Sequence, residues 1–161
     1  MTLPFPQLFL RDVTRITPEL LREHGVKGLL LDIDGTLMQT RDAMPKQQVL
    51  DWMEGLKEEG FTLYILSNNR HQGRVKAFAE SLGLRWQYLA KKPRQKGFVR
   101  AFRETGLAPS QLAVVGDQIF TDMWGARRAG CRAILVESTD TYLWYFPFRR
   151  LAELPFRREK P

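Results

Sequence analysis

Short apolar runs recur along the chain, each ending at a polar or glycine-containing stop. Leu29, Leu30, Leu31 and Ile33 follow one another without the alternation of a half-exposed strand, which predicts a strand buried on both faces. Residues 61–66, 86–89, 112–115 and 133–136 read as four further strands. Between them the spacing becomes helical: Val49, Leu50, Met53 and Leu56 after Pro45, then Val75, Phe78, Ala79 and Leu82, then Phe98, Ala101 and Phe102, then a helix over about 121–129. Gly60, Gly83, Gly106 and Gly130 stand where these helices should stop. Thr17 as N-cap, Pro18 in the first helical position and Gly25 as stop add a short docking helix at about 17–25. Regular alternation of strand and helix predicts a three-layer, Rossmann-like α/β fold. Its central parallel sheet has about five strands, joined by right-handed crossovers. No repeat, linker or shift in composition divides the chain, so one domain over 1–161 is expected, with a tail from about 138.

Composition narrows the setting. At 161 residues and 43% hydrophobic, the chain is long enough for a substantial core. No apolar run approaches the ~18 residues of a membrane span, and Met-Thr-Leu-Pro-Phe-Pro does not resemble a signal peptide, so a cytoplasmic protein is expected. A single cysteine, Cys131, allows neither an internal disulfide nor a Cys-rich zinc site, and its place beside a strand suggests a small buried residue rather than a nucleophile. The formal charge of +7 suits phosphorylated metabolites, nucleic acid or acidic lipid, and a generally basic surface would give the same value.

The stops carry the chemistry. Asp32 and Asp34 follow the first strand, Ser67-Asn68-Asn69 the second, Lys92 the third and Gly116-Asp117 the fourth. In open parallel sheets ligands bind at these carboxyl ends. Two carboxylates two residues apart tend toward the same side, and bringing them together needs a cation or a proton, with Mg2+ the expected guest. A strand cap followed by a turn would explain Asp-Ile-Asp-Gly alone. An EF-hand loop fails on spacing, since its glycine would fall on Leu37 and its final glutamate on Ala43.

Taken together, Asp32-Ile-Asp34-Gly-Thr36, Ser67, Lys92 and Gly116-Asp117 with Asp122 resemble the four ordered motifs of the haloacid dehalogenase (HAD) superfamily of phosphotransferases, along nearly the whole chain. Ile16-Thr17-Pro18-Glu19, Gly25-Val26-Lys27-Gly28, Ser67-Asn68-Asn69, Lys92-Pro93 and Gly116-Asp117-Gln118 with Thr121-Asp122 make the sequence similar to the YqeG-like group of subfamily IIIA, related to phosphatidylglycerophosphate phosphatases. The group usually has Asn where this chain has Gly35. The resemblance implies a magnesium-dependent phosphomonoester hydrolase. Asp32 would be the nucleophile that forms an aspartyl-phosphate, and Asp34 the general acid and base. Ser67, Asn68 (through its N–H) and Lys92 would hold the phosphoryl group. Metal ligation would come from Asp32, the carbonyl of Asp34, Asp117 and Asp122. Lys91 is a rival for Lys92, but Pro93 follows Lys92 as in the family pattern. Asn69, Arg70 and His71 lie at the same mouth, where a solvated helix start explains them equally well; His24 has no functional case.

Related enzymes often choose substrates with an inserted cap. Here 36–61 has room for a loop and one helix, and 67–92 for one helix and one strand, so a capless site is expected. An open site favours a large or surface-bound phosphate monoester. The tail, Tyr142-Leu-Trp-Tyr-Phe-Pro-Phe148 with Arg149 and Arg150 and later Arg157 and Arg158, suits peripheral contact with an anionic membrane. Packing of the tail on the domain is the alternative. Phosphatidylglycerophosphate at a membrane and a soluble sugar phosphate or phosphoprotein are therefore both open as substrates. A non-catalytic module is disfavoured because no motif residue is missing. Specific nucleic-acid binding is not expected, since the basic residues form no recognised motif.

Overall fold

The computed structural model describes residues 2–143 and 145–159. Strands β1 (Leu8–Leu10), β2 (Gly28–Leu31), β3 (Thr62–Leu66), β4 (Arg85–Gln87), β5 (Leu112–Gly116) and β6 (Arg132–Val136) form one parallel sheet in the order β1-β6-β5-β2-β3-β4. The sheet has six strands rather than five. The unpredicted one, Leu8-Phe9-Leu10, is too short to display a period and is defined by its pairing, Leu8 opposite Ile134 and Leu10 opposite Val136. Strand β4 stops at Gln87, short of the expected 89, in a segment where Leu89 (φ 48°) and Lys91 (φ 56°) leave the extended region altogether.

The helices are α1 (Pro18–Glu23), α2 (Gln47–Glu58), α3 (Gln72–Ser81), α4 (Gln95–Thr105), α5 (Trp124–Ala129) and α6 (Phe146–Glu153). Thr17 Oγ1 accepts from Leu20 N–H at 3.2 Å and Pro18 fills the first turn, so α1 starts where the sequence places it. The helix expected over 121–129 is divided into a π-helical turn, Ile119–Met123, and α5. Helix α6 lies in the tail, where no helix was predicted; Trp144, part of the aromatic stretch, falls outside the described residues.

Alternate residues of each strand supply opposite faces. Leu29, Leu31, Ile65, Val115 and Ile134 pack with Met53, Leu56, Val75 and Phe78 on one side, while Leu30, Tyr64, Leu66, Val114 and Leu135 pack with Phe98, Ala101 and Ala126 on the other. Cys131 is buried in the second cluster, where burial pushes its thiol up to about 12. Leu31 lies level with both Ile65 and Val115, so β2, β3 and β5 end side by side. Between β2 and β3 there is one α-helix, α2, and between β3 and Lys92 only α3 and β4, so the crevice at these ends has no inserted cap.

Candidate active site

Asp32 leaves β2 still bonded to the sheet, its N–H donating to Val115 O at 3.1 Å. The chain then turns through Gly35 at φ 80°. A Cβ at Gly35 would stand 2.7 Å from Asp117 Oδ2, so this left-handed glycine provides both the turn and the room for the second carboxylate. Across the crevice, a Cβ at Gly116 would collide with the Asp122 carboxylate, so the residue before Asp117 must lack a side chain. The π-helical turn returns Asp122 toward β5, where its Oδ2 accepts from Gln118 N–H at 3.2 Å. Four predicted site residues thereby converge, all at most 6% exposed: Asp32, Lys92, Asp117 and Asp122.

Lys92 ties the group together. Its Nζ lies 3.0 Å from Asp32 Oδ1 and 2.6 Å from Asp122 Oδ1, and donates to Leu66 O at 2.7 Å. Burial opposes the ammonium charge, but Asp122 and Asp32 outweigh it, so the lysine pKa is raised and the charge is held firmly. Lys91, on the other side of the backbone, is exposed. Thr36, which closes the first motif but has no role assigned from sequence, donates toward Asp117 Oδ1 at 3.3 Å and lies 3.5 Å from Asp32 Oδ2.

One ligand oxygen from each of Asp32, Asp117 and Asp122 lies within 4.8 Å of the others. Burial raises the Asp32 pKa well above the usual carboxylate range; Lys92 opposes this, while Asp122 and Asp117 add to it. Burial, with Asp122, pushes Asp117 up to about 6. Three crowded carboxylates thus face two cations, Lys92 and Arg149. A buried, all-oxygen donor set short of positive charge fits a hard divalent cation.

The carboxylate of Asp34 is not part of this cluster. It accepts from Asn69 Nδ2 at 2.7 Å on Oδ2 and from Arg74 Nη2 at 2.9 Å on Oδ1. Arg74, on α3, also donates to Asp42 O at 2.8 Å, so it fixes the loop after β2 as well as the carboxylate. Ser67 is buried, and its Oγ accepts from Asn69 N–H at 3.1 Å. The Asn68 side chain grips the backbone of Lys92, accepting from its N–H at 2.8 Å and donating to its carbonyl at 3.1 Å. The Asn68 N–H has no protein acceptor among the described residues, leaving it available to an oxyanion. His71 donates its N–H to Asn69 Oδ1 at 2.8 Å and begins α3. His24 is remote, bonded to Leu20 O.

The tail closes one side. Arg149 Nη2 lies 3.1 Å from Asp117 Oδ2 with its side chain 17% exposed, and Asp140 accepts from Thr40 N–H at 2.7 Å. Glu153 is buried and accepts from Ile119 N–H at 3.0 Å, on the turn that carries Asp122; Arg157 pairs with Glu153 and Glu137. Part of the tail therefore packs on the domain through charge. Phe156 packs against Phe5 and Phe120, whereas Phe148 (70%), Leu151 (67%) and Leu154 (55%) are exposed. Arg74 is not singled out by the sequence and Arg149 is read only as part of the basic tail, because each lies on a helix remote in sequence from the carboxylate it meets. Asn69, which the sequence places at the mouth of the crevice without a definite role, meets Asp34.

The HAD-hydrolase-like family profile matches residues 89–142. The chain is 39% identical over 144 residues to the probable phosphatase YqeG of Bacillus subtilis (strain 168), an alignment spanning 88% of this chain and 83% of that protein. Among solved structures, D,D-heptose 1,7-bisphosphate phosphatase from B. bronchiseptica, complexed with magnesium and phosphate, superposes with a TM-score of 0.61 at 18% identity, covering 80% of this chain and 87% of that one. An uncharacterized protein from Listeria monocytogenes serotype 4b superposes with a TM-score of 0.58 at 15% identity, covering 82% and 99%. At these identities the structural matches speak for the fold.

Proposed function

This chain belongs to the HAD family of phosphatases, and from that premise we propose that it hydrolyses phosphate monoesters with Mg2+ through a phosphoryl group carried on Asp32. The observation supporting this reading is the convergence of Asp32, Asp117, Asp122 and Lys92 in one buried crevice at the strand ends. The cation would be held by Asp32, Asp117 and Asp122 with the carbonyl of Asp34, and it would neutralise charge on the phosphoryl oxygens.

A carboxylate oxygen of Asp32 forms the bond to phosphorus as the ester oxygen departs, taking a proton from Asp34. Water then attacks phosphorus and gives its proton to Asp34; phosphate leaves and the Asp32 carboxylate is restored. Lys92, the Ser67 hydroxyl and the Asn68 N–H are assigned to the phosphoryl oxygens, where fixed donors stabilise developing charge. Arg74 and Asn69 orient Asp34 from the side away from the carboxylate cluster. Hydrolysis of p-nitrophenyl phosphate should require a divalent cation, work with Mg2+, stop on chelation and be absent in Asp32→Asn. Full activity after exhaustive chelation would refute the metal assignment.

For substrate, we infer a phosphate monoester presented at a surface, with phosphatidylglycerophosphate the specific candidate and a soluble sugar phosphate or phosphoprotein the alternative. Two observations favour a surface: the uncapped crevice, and the outward Phe148 and Leu151 on the helix whose inward face carries Arg149, with exposed Leu154 just beyond its end. Deleting the tail would also remove Arg149, Asp140 and Glu153, so the discriminating variant is Phe148→Asp with Leu151→Asp. It should lose activity on vesicle-embedded lipid phosphate and keep activity on the aryl phosphate. Equal retention on both substrates would favour the soluble alternative.

A further inference from the structure

A second basic site lies on the flank of the sheet. Beyond the end of the edge strand β4, a hollow of about 410 Å3 opens between the strand and the start of α4. Gln87, Tyr88, Lys91, Arg94, Lys96 and Gly97 line it. Arg100 also borders it, but its guanidinium is engaged by Glu104 at 2.7 Å. Among the described residues, Lys91, Arg94 and Lys96 have no carboxylate partner, so three cations face one hollow uncompensated. A concave surface lined by one sign of charge concentrates counter-ions.

The floor of the hollow adds two independent features. Helix α4 runs for 11 residues and has no side-chain cap, so no side chain takes up the N–H groups of its first turn, the groups that at a helix start suit an oxyanion. Gly97 brings the helix backbone close, since a Cβ there would be 2.9 Å from Ala90 O and 3.2 Å from Gln87 Nε2. Gln87 is nine-tenths buried, yet its side-chain oxygen has no hydrogen-bond partner. A buried acceptor left unpaired has an energetic cost, and a ligand hydroxyl reaching it would remove that cost.

We propose that this hollow is a binding site for a hydroxyl-bearing phosphate ester. Lys91, Arg94, Lys96 and the first turn of α4 take the phosphate, Gln87 takes a hydroxyl of the alcohol part, and Tyr88 forms the lip. The site is distinct from the phosphoryl crevice. Lys92 turns its side chain into the crevice, whereas Lys91 lines the hollow, and the two regions are linked through Leu89 N–H to Asn69 O at 2.9 Å and Ala90 N–H to Ser67 O at 2.9 Å. The proposal does not depend on the catalytic reading.

The test is a titration of isotopically labelled Asp32→Asn protein with glycerol 3-phosphate and, separately, with vesicles of phosphatidylcholine containing phosphatidylglycerol. Saturable shifts are expected at the Gln87 side-chain amide and at the Gln95, Lys96 and Gly97 N–H groups, whatever happens at Ser67 and Asn68. Arg94→Glu with Lys96→Glu should weaken that binding at least ~10-fold, about 1.4 kcal/mol, while p-nitrophenyl phosphate hydrolysis in the otherwise native enzyme stays unchanged. Binding of glycerol 3-phosphate identifies a soluble phosphate ester as ligand, and shifts with the vesicles alone identify a lipid headgroup. Inorganic phosphate binding as tightly as glycerol 3-phosphate would overturn the role of Gln87. The absence of shifts with both probes, or equal binding by the charge-reversed variant, would overturn the site.

Discussion

Replacing Lys92 by methionine gives the sharpest separation of charge from packing in the crevice. The ammonium is 1% exposed and contacts Asp32 Oδ1 at 3.0 Å, Asp122 Oδ1 at 2.6 Å and Leu66 O at 2.7 Å. Methionine keeps much of the buried stem but leaves two buried carboxylates and a carbonyl without their cation. Removing one partner of a buried pair costs ~3–5 kcal/mol, against a total stability of ~5–15 kcal/mol for a typical protein. In a protein of 161 residues each 1 kcal/mol moves the melting temperature by ~2–4 °C. The metal-free variant should therefore melt ~6–20 °C lower at neutral pH. Because the penalty is electrostatic, the gap should narrow on acidification, which protonates the orphaned carboxylates, and on addition of Mg2+. Calorimetry with and without Mg2+ at several pH values reads this directly. A loss of less than ~2 °C, or a loss independent of both pH and Mg2+, would show that Lys92 is not the electrostatic centre of the crevice.

Asp34→Asn should slow phosphorylation by an alkyl phosphate far more than by an aryl phosphate, since only the poor leaving group needs a proton as it departs; equal single-turnover losses would make Asp34 structural. In the metal-free protein Asp117 is raised from 3.8 to about 6, so the native state holds a proton that the unfolded chain has released. That contribution favours folding below about pH 4 and is lost as pH rises through about 6. Asp117→Asn should therefore be more stable than the parent above pH 6 without metal, and melting curves across pH 4–8 check this. Arg149→Ala should tighten Mg2+ binding several-fold by removing a cation that competes for Asp117, while lowering thermal stability as α6 loosens; weaker Mg2+ binding would contradict this.

The layers of the fold were legible because nearly every residue of the four inner strands, β2, β3, β5 and β6, is buried, and continuous apolar runs are the imprint of that burial. Strand β1 left no imprint: three residues can satisfy any period, and its place is set by β6 rather than by its own sequence. The acidic cluster was readable for a different reason. Asp32 and Asp117 follow strands whose register aligns their ends, so position along the chain translates directly into position in space. No such translation exists for helices. Arg74 meets Asp34 across 40 residues and Arg149 meets Asp117 across 32, through rotamers that depend on how α3 and α6 pack. The tail was legible only in outline: its basic and aromatic residues suited either a membrane face or packing on the domain, and α6 divides them, turning Arg149 and Glu153 inward and Phe148 and Leu151 outward.

The most direct measurement is rapid-quench mass spectrometry of the Asp34→Asn protein mixed with an aryl phosphate and Mg2+, since slowed hydrolysis of the intermediate lets it accumulate. The account predicts a peptide spanning Asp32 heavier by one phosphoryl group, with the label lost on hydroxylamine treatment and absent when Asp32 is also replaced by Asn. Sustained turnover in Asp32→Asn, or a phosphoryl group found on any other residue, would contradict it.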